Sequence, residues 1–560
     1  MNDADLALRD LADRYWADVL LLEPLLGTEI GDPRFDDRLP DPSEAGLARS
    51  EQIHRGALKS LAMLDRTALD PISRTTGDFI EAIARSELDA LAYRLDRYRA
   101  VSHLWGPSQL LAVIGSLQLA DTPERFERYL ARLSAVPAYL EAVIVVAEDS
   151  ARQGLTAPAL IVDRAIAQVE RMLALPVKDS PALSPVDQRP AADRDRVAAI
   201  LGDAVLPAYA EYLAMLRRYR PSARETLGLL ALPDGEAMYA SQILAWTNLP
   251  LDARRVHEIG IEELAGIQEE RRDIAARLGY NDAATAVSEY QASGRNTARS
   301  REELLRIVEE QVQRGWEAAP GYFGHLPEAL CQVRAVEEFR EKDMPGAFYY
   351  GPSTDGARPG IYYVNCSDLE LRPLHHVATT TYHEANPGHH FQISIEYEFS
   401  DRPALRRFGG IISGGAFTEG WGLYSERLAE EMGLFLNDYE RLGMLEAQGM
   451  RAARLIVDSG LHAFGWDRDR AVAQMVEAGV PPFDAEIEVD RYIAQSGQAL
   501  AYKIGQREIE RWRAEATKRE GSAFSLSAFH DRLLALGSLP LPAIDRELKE
   551  GRGEDTLKTG

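Results

Sequence analysis

A mainly α, two-lobed fold with one small β-sheet is what the sequence predicts, and three observations lead there. Apolar residues recur at three- and four-residue steps through most of residues 1–320 and again from about 371 to 548. Short runs rich in aromatic and β-branched residues, with Gly and Pro around them, are confined to an island between about 330 and 366. The chain has 560 residues, which at about 150 per domain suggests three to four domains or one large two-lobed body, and is enough to bury roughly three quarters of its unfolded surface.

The elements follow in order. Glu81–Ala100 carries Leu88, Leu91 and Leu95 at helical steps, and Pro123–Asp149 and Leu160–Leu173 show similar spacing. Asp252–Leu278 predicts a long helix that stops at Gly279, the residue suited to a helix C-terminus. Pro233-Asp234-Gly235 marks a turn between helices. Gln332–Phe339, Gly346–Pro352 and Gly360–Cys366 predict the strands of a small antiparallel sheet beside the helix that follows it. Helical spacing then returns, and the last dozen residues read as a frayed tail. A seam between 300 and 330 divides the chain into a helical lobe, 1–320, and a second lobe, 321–560, that holds the sheet and further helices.

Composition narrows the function. Lys+Arg is 63 against 88 Asp+Glu, a net charge of −25, which argues against nucleic-acid partners and a basic membrane-surface role. Cys331 and Cys366 are too few for a disulfide framework or a Cys-rich zinc site. The N-terminus lacks the basic and apolar regions of a signal peptide, and the richest apolar stretch, Tyr139–Ala147, is too short to span a bilayer. The expectation is a cytoplasmic protein without a membrane partner; a homo-oligomer is compatible with the sequence.

Five of the eleven histidines fall between 375 and 390. The core of that stretch is Tyr382-His383-Glu384-Ala385-Asn386-Pro387-Gly388-His389-His390. His-Glu followed by a further His is what a zinc hydrolase needs: imidazoles bind Zn²⁺, and the adjacent Glu takes a proton from water. The usual spacing puts the second His at i+4, on the same helical face. Here i+4 is Pro387, and the histidines stand at i+6 and i+7. In a straight helix i and i+7 are about 10.5 Å apart along the axis, too far to share an ion. Asn386-Pro387-Gly388 disfavours a straight helix, because Pro drives its predecessor out of the α region and Gly permits a sharp bend. A kink there brings His389, or His390, beside His383, with His389 preferred. The plain alternative ends the helix at Asn386 and leaves the histidines as caps of the next segment.

A third ligand is expected from Thr418-Glu419-Gly420-Trp421-Gly422-Leu423-Tyr424-Ser425-Glu426, which opens another helix. Glu419 would complete a His₂Glu site with one open position. Glu426, two turns on, would orient a ligand histidine, or both acids are solvated surface groups.

The stretches YHEANPGHHFQ and FTEGWGLYSE resemble the bacterial domain-of-unknown-function family 885, grouped with gluzincin-type metallopeptidases beside thimet oligopeptidase and angiotensin-converting enzyme relatives. The resemblance continues through Arg454–Trp466 and Arg491–Tyr502 and covers nearly the whole chain. It implies a mostly helical, two-lobed fold with a deep cleft and a metal-dependent hydrolase, without settling the substrate. Ser496 stands where the pattern expects Pro.

A hydrolase of this kind also needs a donor for the oxyanion formed at the attacked carbonyl. His462, Tyr492 and Tyr502 are the candidates. Asp458 and His462, at i and i+4, share a helical face and could hydrogen-bond, though a lone His among Leu455, Ile456 and Leu461 is as readily a satisfied core residue. Arg491, Gln498 and Lys503 join the two tyrosines in a polar cluster suited to a peptide carboxylate or carbonyl. Gly360–Asn365, with Tyr362, is either an edge strand that an extended substrate joins or an ordinary packed strand.

The combined expectation is a zinc-dependent hydrolase, a carboxypeptidase- or oligopeptidase-type metallopeptidase on short peptides. Zn²⁺ is held by His383, His389 or His390, and Glu419, with Glu384 as general base. The alternatives are a metal-dependent amidase on a non-peptide small molecule and an inactive helical binding protein.

Overall fold

The computed structural model describes residues 2–336, 341, 345–353 and 358–550; the expected strand end at 337–339 and the tail at 551–560 lie outside the described residues. The protein is mainly α. Ala253–Arg277 forms as expected: the Asp252 side chain accepts the Arg255 N–H at its start, and Gly279 beyond its end has φ +86°. The stripe at 81–100 belongs to a longer helix, Pro71–Ala92, capped by Asp70. That helix does not run to residue 100, because Arg94 turns left-handed at φ +57° and a short separate helix, Leu95–Tyr98, follows.

Pro123–Arg152, and the helical run from Ala191 to Ser222, each contain a window long and apolar enough to cross a membrane by length and composition alone. In the fold both give one face to the same core, where Tyr129, Leu133, Val136 and Leu140 meet Val205, Tyr209, Tyr212 and Leu216. The largest core joins residues 8–84 to residues 391–544, so apolar packing crosses position 320.

The sheet has three strands: β1 (Cys331–Ala335), β2 (Ala347–Tyr350) and β3 (Gly360–Val364), in the order β1-β3-β2. β2 and β3 pair antiparallel, but β1 and β3 pair parallel. The all-antiparallel expectation is therefore corrected to a mixed sheet: β3 runs back beside β2 and fills the place between β2 and β1. β3 is thus central, paired along both sides, and cannot be the edge to which a substrate adds. Tyr362 is 1% exposed, with its hydroxyl 3.4 Å from Thr381 Oγ1, so it holds the sheet to the helix behind it and does not line a binding surface.

Candidate functional site

Three helices meet at the His-Glu motif. Leu374–Glu384 ends where Ala385 takes φ −106° and ψ −112°, and His389–Glu398 begins after the link 385–388. The link is pinned from two sides. Trp421 Nε1 donates to the carbonyls of Pro387 (3.0 Å) and Gly388 (3.2 Å), and Asn386 Nδ2 donates to the Val312 carbonyl (3.2 Å). Gly388 is required for space, not for an unusual φ as expected: its φ is −79°, but an added Cβ would stand 1.9 Å from the His383 carbonyl oxygen.

The bend puts His383 and His389 together, ring centroids 4.6 Å apart. Glu419, in the first turn of Ala416–Glu431, points Oε2 at both, 3.7 Å from His383 Nε2 and 3.5 Å from His389 Nε2. Glu384 joins the group, with ligand-type atoms of His383, Glu384 and His389 all within 4.8 Å of one another. A tetrahedral ion with bonds of 2.0–2.1 Å spaces its donors about 3.3–3.4 Å apart, so these residues fit Zn²⁺ in type and spacing. Gly422 makes the room. A Cβ there would stand 2.7 Å from His383 Cε1 and 2.9 Å from His389 Cε1.

The electrostatics suit a cation. Burial alone would lower the His383 pKa, but the Glu419 and Glu426 carboxylates overcome it and raise it to about 10. Against the opposing effect of its own burial, Glu419 is held well below the usual carboxylate range by the two imidazoles. His383 Nδ1 is 2.9 Å from Glu426 Oε1, and Glu426 is 1% exposed. Glu426 is thus a buried partner and not a solvated acid; by accepting the Nδ1 hydrogen it leaves the Nε2 lone pair for an ion. Behind it, Gln448 Nε2 donates to Glu426 Oε2 (3.0 Å), and Lys503 Nζ donates to Gln448 Oε1 (2.8 Å) and Gln506 Oε1 (2.7 Å). Lys503 is 1% exposed, and burial lowers its pKa to about 8. It supports Gln448 and Glu426 from behind the His383–His389 pair, a correction to the expectation that it binds substrate.

The remaining expected residues separate. His390 turns to the sheet: Nδ1 is 2.9 Å from Tyr349 Oη, and Nε2 is 2.9 Å from the Ala329 carbonyl. It ties its helix to the sheet and stands apart from the His383–His389 pair. His375 and His376 both face Glu446, at 3.0 and 2.6 Å, which also pairs with Arg271. His462 is not an oxyanion donor. Its Nδ1 accepts the Leu229 N–H, its Nε2 lies 3.0 Å from the Tyr492 carbonyl, and burial lowers its pKa to about 3. The expected Asp458–His462 bond is absent among the described residues; Asp458 accepts from Tyr239 (2.6 Å) and the Gly497 N–H (3.1 Å) instead. Tyr492 is buried and donates to Glu488 at 2.6 Å, so it too is withdrawn. Tyr502 keeps the oxyanion role open: it accepts from Arg491 (3.3 Å), and its own hydrogen has no acceptor among the described residues. Arg491 and Gln498 do meet, at 2.7 Å. Ser496 accepts from Arg99 at 2.8 Å, and the turn is carried by Gly497 at φ +84°.

Gly422 and Gln448 went unnoticed in the sequence. Gly422 had a readable signal, since Glu419, Gly422 and Glu426 fall at i, i+3 and i+7 on one helical face. Gln448 had none, because its partners are distant in the chain.

The family described as "Bacterial protein of unknown function (DUF885)" matches residues 24–548. A structure described as "the putative lipoprotein from Colwellia psychrerythraea" is similar at TM-score 0.90 and 26% identity, over 98% of this chain and 99% of that one. One described as "a putative lipoprotein of unknown function from Shewanella oneidensis" is similar at TM-score 0.74 and 20% identity, over 97% and 99%, and shares the fold. No curated protein matches the chain.

Proposed function

The chain belongs to the bacterial DUF885 family, and from that premise we propose that it is a zinc-dependent hydrolase, a gluzincin-type metallopeptidase acting on short peptides. The observation that carries the reading is the convergence of His383, His389 and Glu419 beside Glu384, with Glu426 on the far nitrogen of His383. His383, His389 and Glu419 would hold the ion, which supplies Lewis-acid activation of a water and a carbonyl. Glu384, next in sequence to a ligand, takes the proton from the attacking water and returns it to the leaving nitrogen. Tyr502 offers its free O–H to the developing oxyanion. Glu426 and Gln448 hold the His383 ring in the tautomer that presents Nε2.

The test is metal analysis of the purified protein, with turnover of a peptide panel before and after chelation and after zinc is restored. Stoichiometric zinc with chelator-sensitive hydrolysis is expected. Protein that takes up no zinc and cleaves nothing sinks the reading. A cytoplasmic location is part of the proposal, and the neighbours described as lipoproteins make cell fractionation its direct check.

A further inference from the structure

A second buried cluster near the candidate centre carries an unbalanced charge. Arg454 donates through Nη2 to Glu488 (2.8 Å) and through Nε to Tyr492 Oη (3.0 Å). Its guanidinium also lies over the Tyr502 ring, 4.5 Å from the centroid. Arg491 reaches the same carboxylate at 3.5 Å, with Nη2 on Gln498 (2.7 Å) and Tyr502 (3.3 Å). Two guanidinium groups therefore share Glu488, and no other carboxylate pairs with either among the described residues. Arg454 is 3% exposed, and its Nη1 is buried without a hydrogen-bond partner among the described residues. Two guanidinium groups on one carboxylate leave one positive charge unmatched, which is costly away from water unless something else supplies the counter-charge. In a chain of net charge −25, a local cationic surplus cannot be put down to general composition.

The cluster also lies in the right place. Arg491 keeps 27% side-chain exposure, so one member of the pair meets solvent. Its partner Tyr502 sits one turn before Gly505, which packs directly on Gly420, the residue after Glu419; a Cβ on Gly420 would stand 2.4 Å from the Gly505 carbonyl carbon. Arg454 lies six residues beyond Gln448 on Asp438–Ala463, about 9 Å along the axis. Gln448 is bonded to Glu426, and Glu426 to His383. An extended peptide advances about 3.3–3.6 Å per residue, so the axial step from Gln448 to Arg454 matches two to three residues of extended chain.

Resting on the hydrolase reading above, we infer that Arg491, backed by Arg454, receives the C-terminal carboxylate of the substrate. The substrate class is then short peptides with a free C-terminus, and cleavage falls one to three residues from that end. A guanidinium edge matches a carboxylate in shape as well as charge.

The test uses a library of N-acetylated tetrapeptides made both as free acids and as C-terminal amides. For the wild-type protein loaded with zinc, kcat/KM for free acids should exceed that for amides by about 10- to 100-fold, carried mainly by KM, as charged hydrogen bonds of this kind contribute. Arg491→Ala should bring the ratio to about one, and Arg491→Lys, which keeps charge but not the fork, should leave an intermediate ratio. Mass spectrometry should find C-terminal fragments of one to three residues. Equal turnover of acids and amides by the wild type overturns the inference and leaves the hydrolase reading standing. A preference that survives in folded Arg491→Ala overturns it too. If neither library is hydrolysed, equilibrium binding decides: a free-acid preference erased by Arg491→Ala keeps the subsite while the hydrolase reading falls, and no preference removes both.

Discussion

Glu384 and Gly422 carry the site in opposite ways, one by its charge and one by having no side chain. Replacing Glu384 with Gln preserves shape and the ligand set but removes the base. kcat should fall by about 10²-fold or more, with zinc content by elemental analysis unchanged; turnover at the wild-type rate would remove Glu384 from the mechanism. Gly422→Ala touches no ligand chemically, yet its Cβ meets both imidazole rings under 3.0 Å. Helix backbone and two buried rings cannot all yield, so the histidines must separate and zinc affinity should drop, measured by competition with a chromophoric chelator. Unchanged affinity would mean that the rings have room not apparent from their packing. Glu426→Gln leaves His383 a weaker acceptor and should cost about 10- to 100-fold in affinity.

At the scale of elements, the link between two helices decides which histidine joins His383. Position i+6 comes beside His383 only because Leu374–Glu384 ends and His389–Glu398 starts in a new direction. His390 is thrown to the other side, against Tyr349 and the Ala329 carbonyl. His389→Ala should therefore strip zinc, while His390→Ala should retain it and lower thermal stability through the lost sheet contacts. Zinc loss on His390→Ala with retention on His389→Ala would reverse the register. The bend itself was legible, because Asn386-Pro387-Gly388 cannot continue a helix. So was the long helix from Asp252 to Gly279, whose cap and terminator are both local signals. What local signals could not reveal was long-range pairing. Nothing in Gly360–Val364 says that β1 closes its second edge. Nothing around His462 says that Leu229, more than two hundred residues earlier, occupies its Nδ1. The break at Arg94 is a backbone choice of a residue with no intrinsic liking for φ > 0.

For the molecule as a whole, the fold stands on contacts that need no ion, whether or not the proposed zinc binds. The three proposed ligands sit on helices that are already joined without it. Trp421, fully buried, fastens the link before His389 to Ala416–Glu431 by hydrogen bonds to two carbonyls. Gly420 and Gly505 let that helix pack backbone-to-backbone on Ala501–Glu520. The largest core runs from residues 8–84 through Phe391, Phe417 and Trp421 to Leu533 and Ile544, and none of these side chains is a ligand. A site held this way is preorganised, so metal should add stability by mass action and not by creating structure. Chelated protein should therefore keep its far-UV circular dichroism and lose all hydrolysis, and restored zinc should return the activity. Its unfolding midpoint should lie a few degrees below that of the zinc form and rise with zinc concentration, since an ion present at 100 times its Kd adds about 2.7 kcal/mol. A large loss of helix on chelation would show instead that the ion makes the bend at 385–388, and that the packing of Trp421 on Pro387 and Gly388 is its consequence and not its cause.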